Sequence, residues 1–169
     1  MRAVLIIGTV GVGKTSAAEA AGDLLAARGV PHAVVDLDGL SRFWPAPADD
    51  PFNFALVITN LRALAATYRT AGARVLLLAG VAETADHRRR FTEATGGELV
   101  VARLQAGPAT VRERLTRRHA DDPEGLAWHL KRAGELDRIL REAAVEDFVV
   151  DATAPADQVA ARVLAEAGC

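Results

Sequence analysis

The chain has 169 residues and a mass of 17.8 kDa, enough to bury one core and too short for two comfortable domains. Half of the residues are hydrophobic and a quarter charged, which excludes wholesale disorder, and a formal charge of −2 with a pI near 6.1 excludes nucleic-acid binding through bulk positive charge. Cys169 is the only cysteine, so no internal disulfide or cysteine zinc cluster can form, and the opening apolar run is too short for a signal peptide or a membrane span; the expected setting is the cytoplasm, without a membrane.

Five short apolar runs rich in β-branched residues, at 3–7, 33–36, 74–79, 98–103 and 147–151, read as buried parallel strands because they lack the alternation of a half-exposed strand. Helical periodicity fills the gaps. Val57, Leu61, Leu64 and Tyr68 lie on one helix face, as do Leu126, Leu130 and Ala133, then Leu136, Ile139 and Leu140, then Val159, Val163 and Ala167. Pro51, Pro108, Pro123 and Pro155 each precede or open a periodic segment, where a missing N–H costs nothing, and Asp50 and Asp122 are placed to cap. Strand and helix alternating four times predict an α/β domain with a parallel sheet and right-handed crossovers. The only long irregular stretch is 37–50, a length that in a compact domain points to function.

Directly after the first strand, residues 8–15 read GTVGVGKT and satisfy G-x-x-x-x-G-K-[ST] at every fixed position, with the strand before and the helix after that the motif requires. Gly8, Gly11 and Gly13 let the backbone wrap an anion, and the helix beginning near Gly13 aims its free amides at the same point, so Val12, Lys14, Thr15 and Ser16 join the glycines as nucleotide-contacting candidates. Lys14 supplies a mobile charge for the transferring phosphoryl group and Thr15 a hydroxyl for Mg²⁺. Only two of the 20 basic residues are lysine, Lys14 and Lys131, which makes a lysine at this spot more telling.

The second strand ends in VVDLDG. Asp36 and Asp38, two apart on what reads as an extended segment, are expected to face the phosphate pocket together from the carboxyl edge of the sheet. One orients the metal or its waters, and the other accepts the proton of an attacking hydroxyl; Asp38, the more distal, is the better base and Asp36 the metal-side acid. Two solvated acids or helix caps are the plainer reading of the same pair.

The combination of GTVGVGKT, DLDG, RLQAGPATVRERLTRR after the fourth strand and VVDATAP after the fifth resembles the small P-loop kinases of the nucleoside-monophosphate-kinase type, nearest their chloramphenicol phosphotransferase-like and adenylylsulfate-kinase-like branches. In the former, the run D-x-x-x-x-x-x-P is matched by residues 38–45. The resemblance implies one domain over 1–169 with a five-stranded parallel sheet ordered 2-3-1-4-5, ATP as donor with Mg²⁺, a small hydroxylated acceptor, and the base role on Asp38. It also implies a lid over about 105–125 bringing arginines onto the nucleotide. Arg114 and Arg118, four apart on one helical face, are the candidates for that contact and for catalysis, with Arg112 and Arg117 beside them, although a solvated basic face would look alike. Ala154 falls where related kinases build the adenine loop. One departure stands out: the third strand offers no carboxylate before Glu83, so either Asp36 orients the metal from the neighbouring strand or the metal site is weak, and the departure counts against a chloramphenicol-type acceptor.

For the acceptor, Arg42, Phe43 and Trp44 in the long loop suggest a wall for a ring or sugar, or else a plug pinning the loop; Asn53, Asn60 and Arg62 on the next helix are placed to reach it, as are Glu83 and His87. His87 opens the run HRRR, which reads more simply as a solvated basic face. His32, His119 and His129 have no metal-ligand spacing. The expected activity is transfer of the ATP γ-phosphate to a hydroxyl of a metabolite or antibiotic by a monomer or homodimer. A nucleotide-binding regulator or weak NTPase without an acceptor, and a nucleoside or nucleotide kinase, are the competing readings.

Overall fold

The apolar runs form the strands of one parallel sheet. A computed structural model describes residues 1–169 as β1 (Arg2–Gly8), α1 (Lys14–Ala27), β2 (His32–Asp36), α2 (Leu37–Leu40), α3 (Phe54–Thr70), β3 (Val75–Ala79), α4 (Ala85–Thr95), β4 (Leu99–Gln105), α5 (Pro108–Arg118), α6 (Pro123–Ala143), β5 (Phe148–Asp151) and α7 (Ala156–Glu166). The sheet order is β2-β3-β1-β4-β5, the one expected. β1 lies at the centre, in register with Val75–Ala79 on one side and with Leu99–Leu104 on the other.

Because successive side chains of a strand face opposite ways, β1 feeds two cores. Ala3, Leu5 and Ile7 pack with Leu61 of α3, Phe91 of α4 and Leu136 and Leu140 of α6. Val4 and Ile6 pack on the other face with Ala21 and Leu25 of α1 and Val163 and Leu164 of α7. Each of these side chains is almost wholly buried, and each large aliphatic one contributes roughly 1.5–3 kcal/mol by leaving water. Not every strand is buried on both faces. β2 and β5 are the sheet's edges, and their Val34 and Val149 are substantially exposed.

The arm made by α5 and the first half of α6 has a core of its own, in which only Val111, Leu115 and Ala133 are buried, with Leu126 and Leu130 packed against them and Val10 and Ala106 joining it to the phosphate loop and β4. A region held by so few buried side chains belongs to the low-stability end of a fold.

Helix starts follow their caps. α5 opens on Pro108 and α6 on Pro123, with Asp122 Oδ1 accepting the Gly125 N–H at 2.9 Å. α3 begins three residues beyond Pro51, at Phe54. The reason is that Asp50 accepts from two amides, Phe54 N at 2.7 Å and Ala55 N at 2.9 Å, while Asn53 takes a left-handed conformation with φ 53°. The long irregular stretch is correspondingly displaced: 37–40 is the helical turn α2, and the irregular chain runs over 41–53. No helix is long and apolar enough to cross a membrane.

Candidate active site

All strands run the same way, so their carboxyl ends gather at one edge, where ligands of parallel α/β sheets bind. Gly11 and Gly13 of the loop between β1 and α1 have φ values of 78° and 107°, conformations in which a side chain is strained. Gly11 has a second reason to be glycine: a Cβ there would lie 2.8 Å from Leu115 Cγ, so the loop and α5 meet backbone to side chain. Gly13 leads into α1 without a side-chain cap and without an acid in the first turn. The first amides of the helix therefore keep their donors for an outside anion. Lys14 folds back beneath the loop, its Nζ donating to the carbonyls of Gly8 at 3.0 Å and Thr9 at 3.1 Å. Burial lowers its pKa to about 8, against the opposing pull of the Asp38 and Asp36 carboxylates, and Arg118 adds to the lowering.

The two aspartates divide their work differently from the extended-segment expectation. β2 stops at Asp36, and Asp38 lies in the first turn of α2. Asp36 is the cap of that turn, Oδ1 accepting the Asp38 N–H at 2.9 Å, and Oδ2 accepts the Thr15 hydroxyl at 2.8 Å. It is thus a helix cap and the partner of the phosphate-loop hydroxyl at once. The Asp38 carboxylate has neither hydrogen bond nor ion pair and borders the cavity. Between them, Leu37 is buried, and Gly80 at the end of β3 leaves room for it: a Cβ there would come within 3.1 Å of three Leu37 side-chain atoms. The acid absent from β3 is therefore matched by one on β2 that reaches Thr15. A hydroxyl and a carboxylate side by side are hard oxygen donors of the type Mg²⁺ takes, with its remaining positions left to water and phosphate; no wider cluster of acids or histidines that could hold a metal is present.

A cavity of about 1210 Å³ opens above this edge, lined by the phosphate loop, Asp38, 49–55, Glu83, His87, Arg90, the α5–α6 arm and the chain after β5. Ligand pockets measure roughly 300–1,000 Å³, so this one is larger than the common range. Both predicted lid arginines border it, in different states. The Arg114 guanidinium is committed: Nη1 donates to the Val12 carbonyl at 2.7 Å and Nη2 to that of Ala152 at 2.8 Å, tying the phosphate loop to the chain after β5. Arg118 has no partner, and its charge reaches Lys14. Ala154 borders the cavity beside Ala152.

Among the residues expected to meet an acceptor, the structure separates those that reach the cavity from those that do not. Arg42 and Trp44 do not line the cavity, and Trp44 is 90% exposed. Asn53 explains why: its Nδ2 donates to the carbonyls of Ser41 at 2.8 Å and Phe43 at 3.0 Å, fixing the loop with these side chains turned outward. Asn53 itself is buried and lines the cavity with its Nδ2 committed to this task, and Asn60 likewise donates to the Leu40 carbonyl at 3.0 Å. Arg62 lies exposed on α3, away from the cavity. His87 is no part of a solvated face. It stacks on Phe54 with ring centroids 4.0 Å apart, accepts the Glu83 N–H on Nδ1 at 3.3 Å, and is held below its ordinary pKa by burial.

The sequence reading missed several cavity residues, Phe52, Phe54, Arg90, Trp128 and Arg132 among them. Arg132 of α6 pairs with Glu83 and sits 5.4 Å from the Phe52 ring centre. Arg90 of α4 lies over Phe54, 4.7 Å from its centre. Trp128 stands at the rim, 55% exposed. The only available signal was aromatic residues clustering at 52–54 in an aromatic-poor chain.

No protein-family model and no curated protein matches the sequence. Solved structures do match its fold over nearly the whole chain. A gluconokinase from Sinorhizobium meliloti is 21% identical with a TM-score of 0.66, covering 99% of this chain and 91% of its own. A tunicamycin resistance protein from Deinococcus radiodurans is 21% identical with a TM-score of 0.68, covering 99% and 95%. An APS kinase from Mycobacterium tuberculosis, solved with AMPPNP and APS, is 23% identical with a TM-score of 0.62, covering 99% and 98%. The chain has the P-loop kinase fold.

Proposed function

We propose that this chain transfers the γ-phosphoryl group of ATP to a hydroxyl of a small molecule. The observation that carries the reading is the position of Asp38, an unpartnered carboxylate on the wall of the cavity that the phosphate loop also lines, near enough to Lys14 to act on its charge. The P-loop kinases of similar fold, whose names include gluconokinase and APS kinase, support the same reaction class.

The residues act in sequence. Backbone amides of Gly11–Ser16 and the start of α1 receive the phosphates. Lys14 exchanges its two carbonyl partners for phosphate oxygens, which turns a desolvated charge into a paired one. Thr15 and Asp36 would hold Mg²⁺, which when bound neutralises charge on the phosphates. Asp38 accepts the acceptor's hydroxyl proton as that oxygen bonds to the γ-phosphorus; the bond from phosphorus to the bridging oxygen breaks, giving ADP and a phosphate monoester, and the proton passes to solvent. The α5–α6 arm forms the lid, which we place over about 105–132 because Trp128, His129 and Arg132 also border the cavity. Closing it brings Arg118 toward the phosphates and excludes water.

Replacing Asp38 by asparagine tests this. Acceptor-dependent ADP release is expected to fall by 10²-fold or more, while MgATP binding by calorimetry stays within a few-fold. Undiminished turnover in D38N would remove Asp38 from the reaction. ATP binding with no stimulation by any hydroxyl compound would favour a regulatory nucleotide binder.

A further inference from the structure

Residues 88–90 are three consecutive arginines whose fates differ. Arg88 bonds both carboxylate oxygens of Asp147, at 2.7 and 3.0 Å. Arg89, on the outer face of α4, pairs with Asp86 and Glu93. Arg90 has no acid and no hydrogen-bond acceptor. It is part-buried on the cavity wall, with only the Phe54 ring beneath its guanidinium.

The acids around the cavity do not answer it. Asp50 spends both oxygens on the amides of Phe54 and Ala55. Glu83 accepts from Arg132. Asp38 is free but stands by Lys14, and Asp49, the remaining acid of the lining, is exposed to solvent and makes no ion pair with Arg90. An aromatic face stabilises a cation by about 0.5–2 kcal/mol, and it satisfies none of the guanidinium's five N–H donors. The same ring carries His87, whose Nδ1 takes the Glu83 N–H and so leaves Nε2 to hold the proton, with no partner. A planar fork and a ring N–H, each against Phe54 and each bordering a cavity with apolar walls such as Val57 and Leu136, are donors of the kind an oxyanion takes.

We propose that the acceptor carries an oxyanion, a carboxylate or a phosphate, bound by Arg90 and His87 on Phe54, with its reactive hydroxyl turned toward Asp38. This rests on the kinase reading of the cavity and narrows its substrate class to hydroxy acids or phosphorylated alcohols, setting aside neutral acceptors.

The test fills the phosphate loop first. With the full chain saturated by a non-hydrolysable ATP analogue and Mg²⁺, inorganic phosphate and acetate are titrated separately and followed by calorimetry and amide NMR. Saturable binding of one of the two is expected, phosphate indicating phosphorylated alcohols and acetate hydroxy acids. Arg90→Gln should weaken it at least tenfold, the loss typical of one charged hydrogen-bonding group, whereas Arg89→Gln, with the same change of charge on the outer face of α4, should leave it intact. Arg90→Lys should restore part of the affinity, since the charge returns without the fork. Analogue binding with neither anion retained, or anion binding indifferent to Arg90→Gln, overturns the proposal alone. Failure of the analogue to bind overturns the kinase reading, and the proposal with it.

Discussion

Replacing Lys14 by methionine separates the cost of the phosphate site from its use. Burial moves the Lys14 pKa from 10.5 to about 8, and at about 1.4 kcal/mol per pH unit this corresponds to roughly 3 kcal/mol by which the folded, nucleotide-free protein disfavours the charged form. Methionine keeps the length of the stem and removes the charge. It also removes the two hydrogen bonds to Gly8 and Thr9, together worth about 1–2 kcal/mol once water reaches the carbonyls. The variant is therefore expected to be more stable than the parent at pH 7, by about 1–2 kcal/mol, or roughly 2–8 °C in Tm for a domain of this size. The pH dependence supplies a second signature. Between about pH 8 and 10.5 the unfolded chain still holds the Lys14 proton and the folded chain has released it. Stability from this group thus rises with pH across that window, the penalty being fully present below pH 8. K14M should lack this contribution, so its stability advantage shrinks as pH rises from 8 and reverses before pH 10.5. Nucleotide affinity should fall at least tenfold. In the parent at pH 8.5, binding should take up part of a proton, visible as a calorimetric enthalpy that varies with the buffer's ionisation heat. Urea titrations across pH and calorimetry with MgATP are the assays. A K14M protein less stable than its parent at pH 7, or one that binds MgATP as well, would refute the account of a desolvated charge held ready for phosphate.

Other substitutions address the positioning groups. Arg114→Lys cannot span the Val12 and Ala152 carbonyls, so it should raise the nucleotide Kd about tenfold and cost about 1–2 kcal/mol of stability, both measurable by calorimetry. Asp36→Asn should raise the Mg²⁺ concentration for half-maximal turnover while metal-free nucleotide binding changes little; an unaltered Mg²⁺ dependence would place the metal elsewhere. Gly80→Ala should displace Leu37 and with it both aspartates, lowering turnover and stability together, by about 1–3 kcal/mol for the latter. Trp44→Phe should leave turnover unchanged, because the side chain lies outside the cavity, and it leaves Trp128 as the sole tryptophan to report closure of the α5–α6 arm by fluorescence.

What the chain states by itself is whatever neighbouring residues decide among themselves. The five apolar runs become strands because a parallel sheet buries them, the proline and aspartate at 122–123 start α6 by a contact three residues long, and the glycines before Lys14 shape an anion nest from consecutive peptides. The geometry around the phosphate loop was for that reason readable, including the place of Asp36 beside it, although its bond to Thr15 spans 21 residues. The far side of the cavity was not. Asn53 has the look of a ligand-binding residue, but its Nδ2 is a clasp on two carbonyls in a loop that turns Arg42 and Trp44 away from the cavity. HRRR has the look of a solvated face, yet Arg88 is answered by an acid 59 residues on while Arg90 is left over an aromatic ring. Side-chain charge and polarity are local properties. Whether a charge is already neutralised is a property of distant partners, and only the folded chain brings those partners within reach.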